Sequence, residues 1–174
     1  WQRCRIAIAP DARNTKPPSV LMPADLFEVL PFRYVEVAIS GADATLDACR
    51  RLSVHYPCDA AASSFKCSDD RLNRVWELCR HTIKATSFCG VYVDGDRERI
   101  AYEADAYINQ LSHYGVDREY EMARHTFERL LAHPTWPTEW VLHFVPMAWA
   151  DYAYTGRTDL LARYSEDLRG KLRL

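Results

Sequence analysis

The stretch Tyr92-Val-Asp-Gly-Asp-Arg-Glu-Arg-Ile-Ala-Tyr-Glu-Ala-Asp105 places five carboxylates and two arginines within fourteen residues. Asp94, Asp96, Glu98, Glu103 and Asp105 stand close enough in sequence to raise one another's proton affinity, while Arg97 and Arg99 act in the opposite direction. On an extended backbone, alternation sets Asp94, Asp96 and Glu98 on one side and Arg97 and Arg99 on the other. Three like charges on one side favour keeping one acid protonated at neutral pH, the state a general acid needs. The competing reading is a solvated charged loop that pairs with itself.

A second constellation is Thr135-Trp-Pro-Thr-Glu-Trp140, in which two indoles flank Glu139. Pro134 just before it and Pro137 within it restrict the backbone, and indoles on a stiff turn lose little entropy when they bind. Sugars present flat C–H faces that stack on rings. Trp136 and Trp140 therefore read as sugar platforms, and Glu139 as an acceptor for hydroxyls. His143 follows Trp140 by three positions, shares a helical face with it and is a candidate to reach the same ligand. His81, His113 and His125 read as surface or packing histidines. Glu103 reads as a supporting residue or ion-pair partner, and Glu119 and Glu121 as exposed helix surface.

Periodicity supplies the elements that position these groups. Alternation predicts short strands at Trp1–Ala9, Phe32–Ser40 and Ala48–Tyr56, with a loop from Asp11 to Pro23. Small polar residues from Cys58 to Lys66 mark a boundary. Ser68, followed by Asp69 and Asp70, predicts a capped helix to Ala85 with Leu72, Val75, Trp76, Cys79 and Ile83 as its apolar stripe and Trp76 in the core. A second helix is predicted from Glu103 to Tyr114, with Tyr107, Leu111 and Tyr114 on one face and Asp105, Asn109 and Ser112 on another. Asp117 caps a third, which carries Tyr120, Ala123, Phe127, Leu130 and Leu131 and ends near His133 and Pro134. A fourth, Glu139 to Thr155, holds Pro146, which should bend or break it. A fifth follows Thr158 and carries Leu160, Leu161, Tyr164 and Leu168. Five helices in antiparallel succession imply an all-α layer architecture.

The composition is that of an ordinary globular chain: 174 residues, 48% hydrophobic and 26% charged,. A net charge of −2 and a pI near 6.3 give no electrostatic reason to expect nucleic acid or an anionic membrane as partner, and a neutral ligand is expected. No apolar run has the length of a membrane span, and no signal peptide is read. The expected location is the cytoplasm or periplasm. The six cysteines show no zinc spacing, so free thiols, no metal and no cofactor are expected. A first residue, Trp1, inside a predicted strand implies a piece of a longer polypeptide, and incomplete edges imply a possible homo-oligomer.

Asp94-Gly-Asp-Arg-Glu-Arg-Ile-Ala-Tyr-Glu-Ala-Asp-Ala-Tyr-Ile-Asn-Gln110 resembles the acidic signature of bacterial α-L-rhamnosidases of glycoside hydrolase family seventy-eight. The resemblance extends through Leu30-Pro-Phe-Arg-Tyr-Val-Glu36, Val54-His-Tyr-Pro57, His133-Pro-Thr-Trp-Pro-Thr-Glu-Trp140 and Tyr152-Ala-Tyr-Thr-Gly156, and so covers most of the chain. It implies that residues 1–60 end a β-sandwich domain and that residues 61–174 are the first helices of an (α/α)₆ toroid. The implied activity is inverting removal of terminal α-L-rhamnose from an oligosaccharide, polysaccharide or glycoside, with two carboxylates about 6.5 to 9.5 Å apart. By the same resemblance Glu98 is the general acid, Asp94 contacts rhamnose hydroxyls, Arg97 stands beside the catalytic Glu and Asp105 ends the signature. Tyr102 replaces a Trp found in many members. The family's general base falls beyond Leu174, since none of Glu103, Glu119, Glu121 and Glu128 matches its motif, so the chain alone is expected to turn over poorly or not at all. The alternatives are a non-catalytic carbohydrate-binding module on this scaffold and another (α/α)₆ glycosidase of trehalase-like type.

Overall fold

A computed structural model describes residues 19–22, 34, 36–38, 47–95 and 97–173. These residues form six α-helices and one 3-10 helix: α1 Asp70–Ala85, α2 Glu103–Tyr114, α3 Glu121–Ala132, the 3-10 helix Thr138–His143, α4 Phe144–Thr155, α5 Asp159–Arg163 and α6 Ser165–Lys171. No strand occurs among the described residues. The predicted strand Trp1–Ala9 lies outside them, as does most of Phe32–Ser40. The third, Ala48–Tyr56, is described and is not a strand. Its alternating side chains meet no ladder partner among the described residues, and Leu52 projects into solvent; a lone extended segment is not stable as sheet.

Helix α2 is central and packs against α1, α3, α4 and the 3-10 helix. Its predicted limits match the observed ones, and of the predicted apolar face Tyr114 is buried, Tyr107 packs half-buried against the core and Leu111 is exposed, while Glu103, Ala106, Gln110 and His113 complete the buried face. The core beside it joins Tyr92, Met122, Phe127, Leu130, Phe144 and Met147, with Phe127 and Phe144 edge to face at 5.2 Å.

Helix α1 departs further from expectation. Its cap is Asp69, whose carboxylate accepts from Arg71 N at 2.8 Å, rather than Ser68. Of the predicted stripe only Ile83 is buried; Leu72 and Val75 are exposed. Trp76 is half-buried, stacked with Phe65 at 6.3 Å and covered by Arg80 at 5.1 Å, rather than lying in the core. Asp117 does not cap α3. It accepts from Asp59 N at 2.9 Å, and Glu119 takes the free amides of Glu121 and Met122.

The predicted fourth helix divides. Pro146 has no N–H for the carbonyl of Leu142, so the chain runs as a 3-10 helix to His143 and becomes α-helical from Phe144, which places Pro146 in the first turn of α4, where the missing donor costs least,. Gly156, at φ 70°, closes α4 in the left-handed conformation that favours glycine,. The predicted fifth helix also divides, at Tyr164, into α5 and α6.

A buried polar network ties four helices together. Arg124 on α3 donates to Asp151 of α4 at 2.6 and 2.8 Å and to Asp159 of α5 at 2.8 Å. Tyr114 of α2 donates to Asp151, and Gln110 to Tyr114 and to the carbonyl of Met147. Cys49, Cys58, Cys67, Cys79 and Cys89 are free thiols.

Candidate active site

The acidic stretch is a closed loop rather than an extended strand. Asp94 N donates to the carbonyl of Ile100 at 3.0 Å, Arg99 N to that of Gly95 at 3.0 Å, and Ile100 N to Asp94 Oδ1 at 3.2 Å. Gly95 at φ 149° and Arg99 at φ 56° turn the chain, and Val20 N donates to the Arg99 carbonyl at 2.7 Å, which holds that turn in place. The two arginines therefore separate. Arg97 is exposed and pairs with Glu98, whereas Arg99 is buried with its guanidinium 5.4 Å from the Phe88 ring. Upstream, Tyr92 anchors the loop through its hydroxyl to His113 Nδ1 at 2.7 Å and through its amide to Thr126 Oγ1 at 3.0 Å. Burial lowers the proton affinity of His113, with Asp117 partly opposing it. Asp96 lies outside the described residues.

The loop brings Asp94 and Glu98 into hydrogen-bonding contact. Partial burial, and then the bond with Glu98, raise the Asp94 carboxyl to about 6. Glu98 moves down, first because Asp94 donates to it and then because of Arg97 and the Tyr102 hydroxyl, which lies 3.3 Å away. The two shifts are opposite in direction, so Asp94 releases its proton at higher pH than Glu98,. In the ligand-free molecule three donors, Asp94, Arg97 and Tyr102, converge on Glu98 and favour its ionised form,. Asp105 adds its negative charge to both Asp94 and Tyr102.

Tyr102 links Glu98 to a group of aromatic rings. Tyr102 meets Trp140 edge to face at 5.7 Å. In the 3-10 helix residues three apart stand in line, so His143 lies beside Trp140 and rests on Tyr107 at 5.8 Å. Trp136 borders a cavity with Tyr102 but makes no ring contact with these side chains among the described residues. It is 84% exposed and stands farther along the turn. Glu139 is exposed, and no hydrogen bond or ion pair ties it to the carboxylates among the described residues.

A connection absent from the sequence reading joins the two loops. Glu103 is fully buried, and its carboxylate accepts from Thr135 N at 2.9 Å and from the Thr135 hydroxyl. It follows Tyr102 directly, so one carboxylate fixes both the acidic loop and the tryptophan turn. Its place at the start of α2 is visible in sequence, but its partner thirty-two residues away is not.

Carboxylates beside aromatic rings on a helical scaffold form an arrangement suited to sugar chemistry,. Consistent with it, the family model of the bacterial alpha-L-rhamnosidase 6 hairpin glycosidase domain matches residues 60–172. The chain belongs to this family, whose six-hairpin domain fits an (α/α)₆ fold. Such a domain implies a carbohydrate substrate. No curated protein and no solved structure matches the chain. Among the described residues no helix is long and apolar enough to cross a membrane.

Proposed function

We propose that this domain removes terminal α-L-rhamnose from rhamnosides by inversion, with Glu98 protonating the departing glycosidic oxygen. The reading is supported by the closed loop in which the Tyr102 hydroxyl lies 3.3 Å from Glu98 and the Tyr102 ring meets Trp140 at 5.7 Å, with Glu98 among the causes that raise the Asp94 carboxyl to about 6. Asp94 is the residue that meets the sugar's hydroxyls. A hydroxyl donating to Asp94 favours its charged form, and the pair's proton then passes to Glu98, which becomes the acid. Tyr102 and Trp140 take the apolar face of the ring. Arg97 and Asp105 set the charge around the pair, and His143 and Glu139 are the remaining polar groups of that side. In this reading residues 61–174 begin the catalytic domain and residues 1–60 end a preceding sandwich domain. The water-activating carboxylate is assigned to none of Glu103, Glu119, Glu121 and Glu128.

The test is Glu98→Gln. Turnover of an aryl α-L-rhamnoside is expected to fall about 10²- to 10⁴-fold, while affinity for methyl α-L-rhamnoside is kept. Retained turnover would remove Glu98 from the chemistry. Equal affinity for the corresponding D-glucoside would point instead to another glycosidase of this fold.

A further inference from the structure

His113 has no part in the chemistry proposed above, yet it is a buried imidazole on the inner face of α2. Its two ring nitrogens have different neighbours. Nδ1 lies 2.7 Å from the hydroxyl of buried Tyr92, and the two rings meet edge to face at 5.8 Å. Nε2 lies 4.0 Å from Asp117 Oδ2. The chain turns back directly after α2, with the amides of Val116 and Asp117 donating to the His113 carbonyl at 2.9 and 2.8 Å, and this turn brings the carboxylate to the ring. Asp117 is itself fixed, since Asp59 N donates to its Oδ2 at 2.9 Å and Arg118 N to its Oδ1 at 2.6 Å.

These neighbours decide the form of the imidazole. Burial favours the neutral ring,, and a neutral ring has one donor nitrogen and one acceptor. A carboxylate only accepts, so the N–H belongs on Nε2, and Nδ1 is left to accept from the Tyr92 hydroxyl. An apolar side chain of the same size would leave that buried hydroxyl without an acceptor. Tyr92 is gripped a second time through its amide, which donates to Thr126 Oγ1 of α3 at 3.0 Å. Val91 and Val93 on either side of it are buried as well. Asp94 follows two residues after Tyr92, and partial burial is the first cause of its raised carboxyl.

We propose that His113 is a positioning residue for the acidic loop: oriented by Asp117, it holds Tyr92 to α2 and so fixes how deeply the Asp94 carboxyl sits beside Glu98. What that pair does to a substrate rests on the reading given under Proposed function. The proposal adds two residues, His113 and Asp117, that act on the pair only through Tyr92.

Carbon-detected NMR titration of the Asp94 carboxyl in the full chain tests it with three variants. Tyr92→Phe keeps the ring and removes the hydroxyl, His113→Leu removes the acceptor, and His113→Asn keeps an acceptor near the place of Nδ1. The first two should bring the Asp94 midpoint down from about 6 by about one unit or more, towards 3.8,, and His113→Asn should restore most of that shift. A merely structural role for His113 would lower the unfolding temperature and leave Asp94 at about 6. A midpoint that stays there in Tyr92→Phe and His113→Leu, or that falls equally in His113→Asn, overturns the proposal. If circular dichroism shows that His113→Leu does not fold, Tyr92→Phe decides. Should the midpoint move as expected while Glu98→Gln keeps its turnover, the proposed function falls and the positioning of Asp94 by His113 stands.

Discussion

Asp94 and Glu98 show how a short acidic run becomes a chemical unit. Their order in the chain announces mutual repulsion, but which one holds the proton depends on the turn that directs Arg97 and Tyr102 onto Glu98. Replacing Glu98 by Gln removes the charge and the bond that raise Asp94, so the Asp94 midpoint should fall below about 6 in a carbon-detected NMR titration. An unchanged midpoint would mean that burial alone sets it. The two acids also act oppositely on stability. Asp94, raised from 3.8, contributes below 3.8 and loses that contribution as pH climbs through about 6,. Glu98, lowered from 4.5, contributes above 4.5 and loses it as pH falls,.

Glu103 makes a second prediction at this scale. Glu103→Ala leaves the buried Thr135 amide without its acceptor and should cost about 1–3 kcal/mol by urea unfolding. Glu103→Gln keeps an acceptor for that amide and should cost less. Iodide should also quench tryptophan fluorescence more readily in the Ala variant as the turn loosens. Equal costs for the two variants would show that the bond to Thr135 does not hold the turn.

At the level of elements, stability rests on the network through Arg124. Arg124→Ala strands Asp151 in the interior and should cost about 3–5 kcal/mol, read by denaturant unfolding; a loss under about 1 kcal/mol, the scale of a surface pair, would show that the pair is solvated. Arg124 and Arg157 hold Asp159 down to about 2 from 3.8, so its contribution is present above 3.8 and lost as pH drops through about 2,. Helix α1 gives the opposite expectation. Leu72 and Leu78 are 54% and 63% exposed, so Leu72→Lys and Leu78→Lys should each change stability by no more than about 0.5 kcal/mol.

Much of this level was legible in the residues. The limits of α2 and the end of α3 before Pro134 follow from periodicity and breakers, and Pro146 announced a discontinuity. What periodicity cannot supply is the partner. The stripe Leu72, Val75 and Cys79 has helical spacing whether or not another element covers it, and Ala48–Tyr56 alternates whether or not a neighbouring strand exists. His113 reads as surface or packing and Gln110 gives no signal of its own, because only tertiary packing shows that α2 turns them inward. The bond from Glu103 to Thr135 leaves no local pattern at all.

For the whole molecule, the fold sets Asp94 and Glu98 in one closed loop with opposite shifts, and the proposed part of the sugar is to move the proton from the first to the second. Carbon-detected NMR titration of the Asp94 and Glu98 carboxyls, with and without saturating methyl α-L-rhamnoside, addresses this directly. The predicted result is an Asp94 midpoint near 6 in the free protein that falls when the rhamnoside binds, while the Glu98 midpoint rises. Two carboxyls that titrate independently at ordinary values, indifferent to the sugar, would contradict it.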